Sequence, residues 1–175
     1  MHYKILLFTE KLPSEKEIEE ILEPYCEYKD GFIENSDFRW DWWEIGGRYC
    51  GQIEAEVSTV EIMPDGNVSI RWENINHKEI ISMLFSEHRI LDESRFYGYV
   101  MTPEKNLKVD GAFVKQIRNE RAFACWGFID LSREAHTREH WDGKNWIRDE
   151  EFDEKVMKAR EEAWEGFMTV LDIHS

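Results

Sequence analysis

From Phe38 to Trp72 the apolar residues recur with a period of two, and this pattern constrains the fold most. Val68, Ile70 and Trp72 alternate with polar residues after a Pro-Asp-Gly-Asn turn, which predicts a β-hairpin. The parity of the apolar residues changes near Ser58-Thr59, which predicts a bulge or a break in the partner strand. A chain with this period is expected to build a sheet.

Helical spacing occurs in separate segments between such strands. Ser14 and Glu17 form a capping box, and Pro24 closes the helix that follows. Four helices are predicted. The first follows Ser14 and the second follows Asn76. The third runs from Ser132 to Asp142-Gly143, and the fourth spans about 149–168.

Strands are predicted at residues 2–9, 96–101, 112–117 and 122–129, and in the closing VLDIHS. Strands and helices follow one another without a βαβ rhythm, which favours an α+β fold. We therefore expect residues 1–175 to form a single α+β domain, with a mostly antiparallel sheet packed by three to four helices.

Charge excludes several kinds of partner. The chain has 37 acidic and 22 basic residues, a net charge of −15, which repels nucleic-acid phosphates and anionic membranes. We expect neither direct duplex binding nor a membrane partner. The acidic surface either keeps the protein soluble or mimics nucleic acid and docks in a basic groove of another protein.

The expected location is the cytoplasm. No stretch is long and apolar enough for a transmembrane helix, and the N-terminus reads as a strand and not as a signal peptide. Three cysteines at irregular spacing argue against a disulfide framework and fit a reducing compartment.

The segment FRWDWWEIGGRYCG, residues 38–51, carries the most unusual composition. A strand through it divides its first eight residues between two faces. One face holds Phe38, Trp40, Trp42 and Glu44, and the other holds Arg39, Asp41, Trp43 and Ile45. An Asp placed between tryptophans needs a partner when it is buried, and either Arg39 or Arg48 can supply it.

Gly46 and Gly47 permit positive φ and close backbone approach. Arg48 then offers a planar fork suited to a carboxylate or a phosphate. One interpretation is an aromatic-walled pocket with Arg48 as an anion clamp. The other is a β-turn with an internal salt bridge between Asp41 and Arg48.

Two further patterns contain histidine. Asp172 and His174 share one face of a strand, as an acid/base pair or two metal ligands would. The residues from His136 to His140 spell H-x-x-E-H, which binds zinc only when a helix places both histidines on one face. That helix is predicted to be short, and nothing identifies a third ligand. We therefore predict neither a metal nor a cofactor, and no catalytic residue.

Four elements resemble an uncharacterised family of bacteriophages, prophages and bacterial genomes. They are Leu22-Glu23-Pro24-Tyr25, the box from Trp40 to Tyr49, Trp126-Gly127, and Leu171-Asp172-Ile173-His174. The chain departs from the family pattern at Tyr49, where the family has Trp, and at Ile173, where it has Cys. Residues about 52–120 are longer than the usual connection, which indicates an insertion. The resemblance implies a bacterial host cell and a link between the box and the terminal Asp-x-His.

The sequence thus predicts a non-enzymatic binding protein of phage type that acts on a host protein. Its most concrete form is an anti-CRISPR-like inhibitor whose acidic surface blocks a nucleic-acid-binding groove on a host effector. The alternative is a nucleotide-binding or other small-molecule-binding protein, or a small enzyme, that uses the box and the terminal Asp-x-His. The predicted binding residues are Trp40, Asp41, Trp43, Gly46, Gly47, Arg48, Asp172 and His174.

Overall fold

The computed structural model describes residues 1–28, 37–56, 61–62, 68–69 and 106–175. Within these ranges the secondary structure is mostly β-strand. The strands are β1 (His2–Thr9), β2 (Trp42–Ile45), β3 (Ile53–Glu56), β4 (Glu61–Ile62), β5 (Val68–Ser69), β6 (Asn106–Val109), β7 (Gly111–Phe113), β8 (Gly127–Ile129), β9 (Ala135–Thr137), β10 (Glu139–Trp141), β11 (Trp146–Arg148) and β12 (Phe167–His174). The α-helices of the described residues are α1 (Glu15–Leu22) and α2 (Phe152–Glu162).

A six-stranded sheet organises the fold, in the order β2-β12-β1-β8-β9, with β7 also paired to β12. The two long strands β1 and β12 pair antiparallel over their whole length, from His2 opposite His174 to Thr9 opposite Phe167. Only the β1–β8 pair of this sheet is parallel. The sheet is therefore mostly antiparallel, as the sequence predicts.

Both faces of the central strands are buried, which explains the continuous apolar run of β1. On one face Leu6 and Phe8 belong to a core cluster that also contains side chains of α2. On the other face Ile5 and Leu7 belong to a second cluster with side chains of α1. The sheet therefore lies between the two helices.

Helix α1 begins where the sequence predicts. The Ser14 hydroxyl accepts a hydrogen bond from the Glu17 amide at 3.1 Å, and the Glu17 carboxylate accepts one from the Ser14 amide at 2.6 Å. This is a complete capping box. Neither described helix has the length and apolar character needed to cross a membrane.

The expectation of three to four helices is wrong for the described chain, which packs its sheet with two helices of 8 and 11 residues. The segment after Ser132 forms strands β9 and β10 instead of a helix. The carboxylate of Asp130 accepts hydrogen bonds from the amides of Ser132 and Glu134, and Arg133 has a φ of 65°. This turn reverses the chain and pairs β9 with β8.

The last helix is also shorter than the predicted span of 149–168. It ends at Glu162, and β12 begins at Phe167. Gly166 lies between them, where an added Cβ would stand 2.4 Å from the carbonyl oxygen of Thr9. Close packing of this turn against β1 therefore ends the helix and starts the closing strand early.

Several predictions fall outside the described residues. These are the helix after Asn76, the strand at 96–101, the irregularity near Ser58-Thr59 and the turn at 64–67. The described strands on both sides of that turn do pair, with Ile62 opposite Val68, so the hairpin prediction is confirmed at its flanks.

Candidate functional site

At one end of the central sheet, three adjacent strands place three large side chains in a row. The register sets His2 of β1 and Trp42 of β2 on either side of His174 of β12. Residues directly opposite in a sheet point to the same face. Trp42 is 45% exposed, so the row is open to solvent.

One row further into the sheet, Asp172 lies on the same face and is 1% exposed. Its Oδ1 lies 2.9 Å from Nδ1 of His2, and its Oδ2 accepts a hydrogen bond of 2.9 Å from the Arg48 amide. These bonds offset the cost of burying a carboxylate. Asp172 therefore joins His2 to the turn that carries Arg48.

A second carboxylate–imidazole pair lies beside the first. Oδ1 of Asp41 is 2.7 Å from Nδ1 of His174, and the Asp41 amide donates to the His174 carbonyl at 3.0 Å. The structure thus joins the central box to the terminal Asp-x-His. Asp41 pairs with His174, and Arg48 forms no ion pair with any described residue, so the alternative of an Asp41–Arg48 salt bridge is wrong.

The two imidazoles are arranged alike. Each directs Nδ1 at a carboxylate, and an ionised carboxylate only accepts hydrogen bonds. Nδ1 therefore carries the proton and Nε2 is left available. Neither Nε2 has a hydrogen-bond partner among the described residues. The ring centroids of His2 and His174 are 5.1 Å apart.

The two histidines open onto a shallow depression of the surface. Its lining residues are His2, Tyr28, Asp41, Trp42 and His174. The ring of His2 also meets the edge of Trp42, with a centroid distance of 6.0 Å. The depression thus combines two imidazoles, a carboxylate and exposed aromatic surface.

The turn at Gly46-Gly47 covers two buried carboxylates. Both glycines have positive φ, of 71° and 49°. An added Cβ would stand 2.5 Å from Cγ of Asp110 at Gly46, and 2.5 Å from Cβ of Asp172 at Gly47. Close approach to these acids therefore requires glycine at both positions.

Arg48 is exposed, and its guanidinium forms no ion pair with any residue that the structure describes. Its backbone amide, however, is fixed on Asp172. The side chain therefore projects from a turn whose position is set by the same carboxylate that holds His2.

Trp40 and Trp43 do not line this depression. Trp40 is buried and donates its indole N–H to the Leu22 carbonyl at 2.7 Å, and Trp43 packs against the same cluster as Trp40. The predicted division of the segment between two faces is wrong, because β2 starts only at Trp42. Phe38, Trp40 and Ile45 consequently share one core cluster.

The sequence does not predict that Asp110 lies beneath the Gly46-Gly47 turn of the site. Asp110 has no exposed surface, and its Oδ1 accepts a hydrogen bond of 2.7 Å from the Gly51 amide. Its Oδ2 has no hydrogen-bond partner among the described residues. Burial raises the pKa of this carboxyl from 3.8 to about 7.

Burial, followed by the charge of Asp110, raises the pKa of the neighbouring Cys50 thiol to about 11. A thiol of this kind is protonated at neutral pH and is a poor nucleophile. Asp110 lies in a Val-Asp-Gly sequence that reads as an ordinary turn. His2 carries no sequence signal either, because its role depends on pairing with a strand 170 residues away.

The H-x-x-E-H pattern does not have the helical geometry of a zinc peptidase. His136 lies on β9 and His140 lies exposed on β10. The ring of His136 stacks on Phe128 at 4.5 Å. Ligand atoms of Asp130, Glu134 and His136 lie within 4.8 Å of one another, but Asp130 already bonds His136 and two backbone amides.

Fold and site together describe a mostly antiparallel sheet protein with two neighbouring Asp–His pairs at one sheet end. No protein-family model, no curated protein and no solved structure matches the chain. The function is therefore argued from the residues of the site.

Proposed function

We propose that the depression at His2, Trp42 and His174 binds a small phosphate ester and that the two histidines catalyse its hydrolysis. The arrangement of the imidazoles carries this proposal. Each ring is held by a carboxylate at Nδ1 and has an available Nε2. A histidine oriented in this way is a suitable general acid or base near neutral pH.

Two such histidines supply both halves of a hydrolysis. One neutral Nε2 accepts a proton from water as the water oxygen attacks phosphorus. The other, protonated, Nε2 donates its proton to the leaving oxygen as the old P–O bond breaks. Each general acid or base of this kind contributes roughly 10²–10⁴-fold in rate.

Two exposed side chains, Trp42 in the lining of the depression and Arg48 outside it, suit an anionic substrate with a planar base. Arg48 is exposed without an ion pair to any described residue, and a guanidinium suits a phosphate. Trp42 exposes 45% of its surface, which suits stacking on a nucleotide base. The net charge of −15 opposes binding of polynucleotides but much less that of a single nucleotide.

Hydrolysis of bis(p-nitrophenyl) phosphate between pH 5 and 9 tests the proposal. We expect a bell-shaped dependence of kcat/KM on pH, because one histidine must be neutral and the other protonated. His2→Gln and His174→Gln each lower the rate by about 10²-fold or more. The control is His140→Gln, at an exposed histidine of β10.

Two results contradict the proposal. One is a wild-type rate that does not exceed that of the double variant lacking His2 and His174. The other is a rate that the His140→Gln control lowers as much as the site variants do. Arg48→Ala, which keeps the backbone bond to Asp172, is expected to raise KM and leave the fold intact.

A second candidate function is that of an acidic inhibitor of a host nucleic-acid-binding protein, and the exposed face of α1 favours it. This face and the residue after it carry the exposed glutamates Glu15, Glu19, Glu20 and Glu23, with Lys16 as the basic residue of the helix. Carboxylates in a row complement a basic groove. The resemblance to phage proteins supports the same setting.

Expression in a bacterial host with an active CRISPR effector tests this second candidate. We expect loss of immunity and co-purification of the effector. The double variant Glu19→Lys/Glu20→Lys should weaken both, because charge reversal opposes docking in a basic groove. Full immunity in the presence of the wild-type protein would remove this candidate.

A further inference from the structure

A second cavity, of about 530 Å³, lies apart from the histidine depression and has aromatic walls. Tyr3 is one of its lining residues, and it points to the opposite face of β1 from His2 because successive residues of a strand alternate. Its aromatic lining residues are Tyr3, Trp126, Trp141 and Trp146. The volume is in the range of small-molecule sites.

Two aromatic pairs build these walls. Tyr3 and Trp126 pack at a centroid distance of 4.2 Å, and the Trp126 amide is hydrogen-bonded to the Lys4 carbonyl of β1 at 3.0 Å. Trp141 and Trp146 are directly opposite on β10 and β11, with a centroid distance of 5.7 Å. Both walls are therefore fixed by backbone pairing.

The second wall leaves much apolar surface in contact with solvent. Trp141 is 49% exposed and Trp146 is 56% exposed. Indole rings bury a large area when they find a ligand, and contiguous exposed apolar surface often marks a binding site. The hairpin is held in place by the Trp141 amide, which donates to Asp37 at 3.0 Å.

The charges of the cavity favour a cation. Glu27 and Asp37 line it together with one arginine, Arg39. Carboxylates outnumber guanidinium groups in the lining, and the whole chain carries −15. The faces of aromatic rings are also negative and attract cations.

We infer that this cavity binds an organic cation, with a quaternary ammonium group seated between the Tyr3–Trp126 and Trp141–Trp146 walls and near Glu27 and Asp37. A tetraalkylammonium group suits the site because it combines positive charge with an apolar surface and needs no hydrogen-bond acceptor. The ammonium group is either that of a free small molecule or that of a trimethylated lysine side chain.

An NMR titration that follows the indole N–H signals tests the inference with a matched pair of ligands. Choline carries the charge, and 3,3-dimethylbutan-1-ol has the same shape without it. We expect choline to bind at least about tenfold more tightly than the neutral alcohol. A short peptide with trimethyllysine, titrated in parallel, distinguishes the two sources by which ligand binds more tightly.

Three variants locate the binding. Trp146→Ala is expected to weaken choline binding by about five- to tenfold, and Trp164→Ala is the control because Trp164 is 46% exposed and does not line the cavity. Glu27→Gln should weaken binding of choline and leave that of the neutral alcohol unchanged. This last comparison remains informative if Trp146→Ala perturbs the hairpin.

Several results overturn the inference. Equal affinity for choline and the neutral alcohol would show that charge is not recognised. Equal effects of Trp146→Ala and Trp164→Ala would place binding elsewhere. Absence of binding by choline and by the peptide, or binding of a neutral sugar such as methyl glucoside in their place, would assign the cavity to another ligand class.

Discussion

Replacement of Asp110 by asparagine removes a carboxyl group that is fully buried beneath the Gly46-Gly47 turn. Asparagine has nearly the same shape, and its Oδ1 keeps the hydrogen bond from the Gly51 amide. What changes is the ability to ionise. The variant therefore isolates the cost of placing a negative charge at this position.

The size of this cost follows from the pKa of the group. Burial raises it from 3.8 to about 7, so between these values the folded protein binds one proton more than the unfolded chain. Stability must then fall as pH rises, by about 1.4 kcal/mol per pH unit. The contribution of the Asp110 carboxyl to the free energy of unfolding is fully present below pH 3.8 and is lost as the pH rises to about 7. Between pH 5 and pH 7 the loss is about 2–3 kcal/mol.

Urea unfolding at pH 5, 6 and 7 measures this effect as the difference between wild type and Asp110→Asn. We expect the variant to gain about 2–3 kcal/mol relative to wild type over the interval. The control is Glu161→Gln, at an exposed carboxylate of α2, which should parallel the wild type. Parallel pH profiles for wild type and Asp110→Asn would refute the reasoning.

Three further substitutions test the Gly46 turn, the cap of α1 and a buried hydroxyl group. Gly46→Ala should destabilise the protein by more than about 2 kcal/mol, because φ is 71° and the new Cβ would meet Asp110; unchanged urea unfolding would contradict this. Ser14→Ala should cost about 1 kcal/mol through loss of the capping box, measured by thermal unfolding, with Ser132→Ala as the comparison. Thr169→Val should stabilise by about 1 kcal/mol, because its buried hydroxyl has no hydrogen-bond partner among the described residues; a lower urea midpoint would disprove it.

Local sequence patterns predict an element correctly where its stabilising contacts lie between neighbours along the chain. The capping box at Ser14 predicts the start of α1 because all its hydrogen bonds lie within three residues. The same kind of reasoning was wrong after Ser132. There Asp130 binds the following amides in a tight turn, and pairing of β9 with β8 and of β10 with β11 overrides the helix-forming Arg, Glu and Ala residues of the segment.

The candidate site shows a similar division. The sequence predicts six residues that the structure gathers at one end of the sheet: Asp41, Gly46, Gly47, Arg48, Asp172 and His174. The sequence also predicts Trp40 and Trp43 as binding residues, but both pack in the core on the opposite face of the sheet. Strand alternation from Phe38 onward predicts the wrong face for Phe38 and Trp40, because β2 begins only at Trp42.

By itself, the sequence determined the start of the first helix, whose capping hydrogen bonds are local, and it predicted the opening and closing strands from their apolar pattern. Only the tertiary structure decided which side chains meet. His2 faces Asp172 because β1 and β12, from opposite ends of the chain, pair in one particular register. Asp110 lies under Gly46 because β2 and β7 both pair with β12. Both faces of β1 and β12 are buried, so their largely apolar runs lack the alternation that would specify the register.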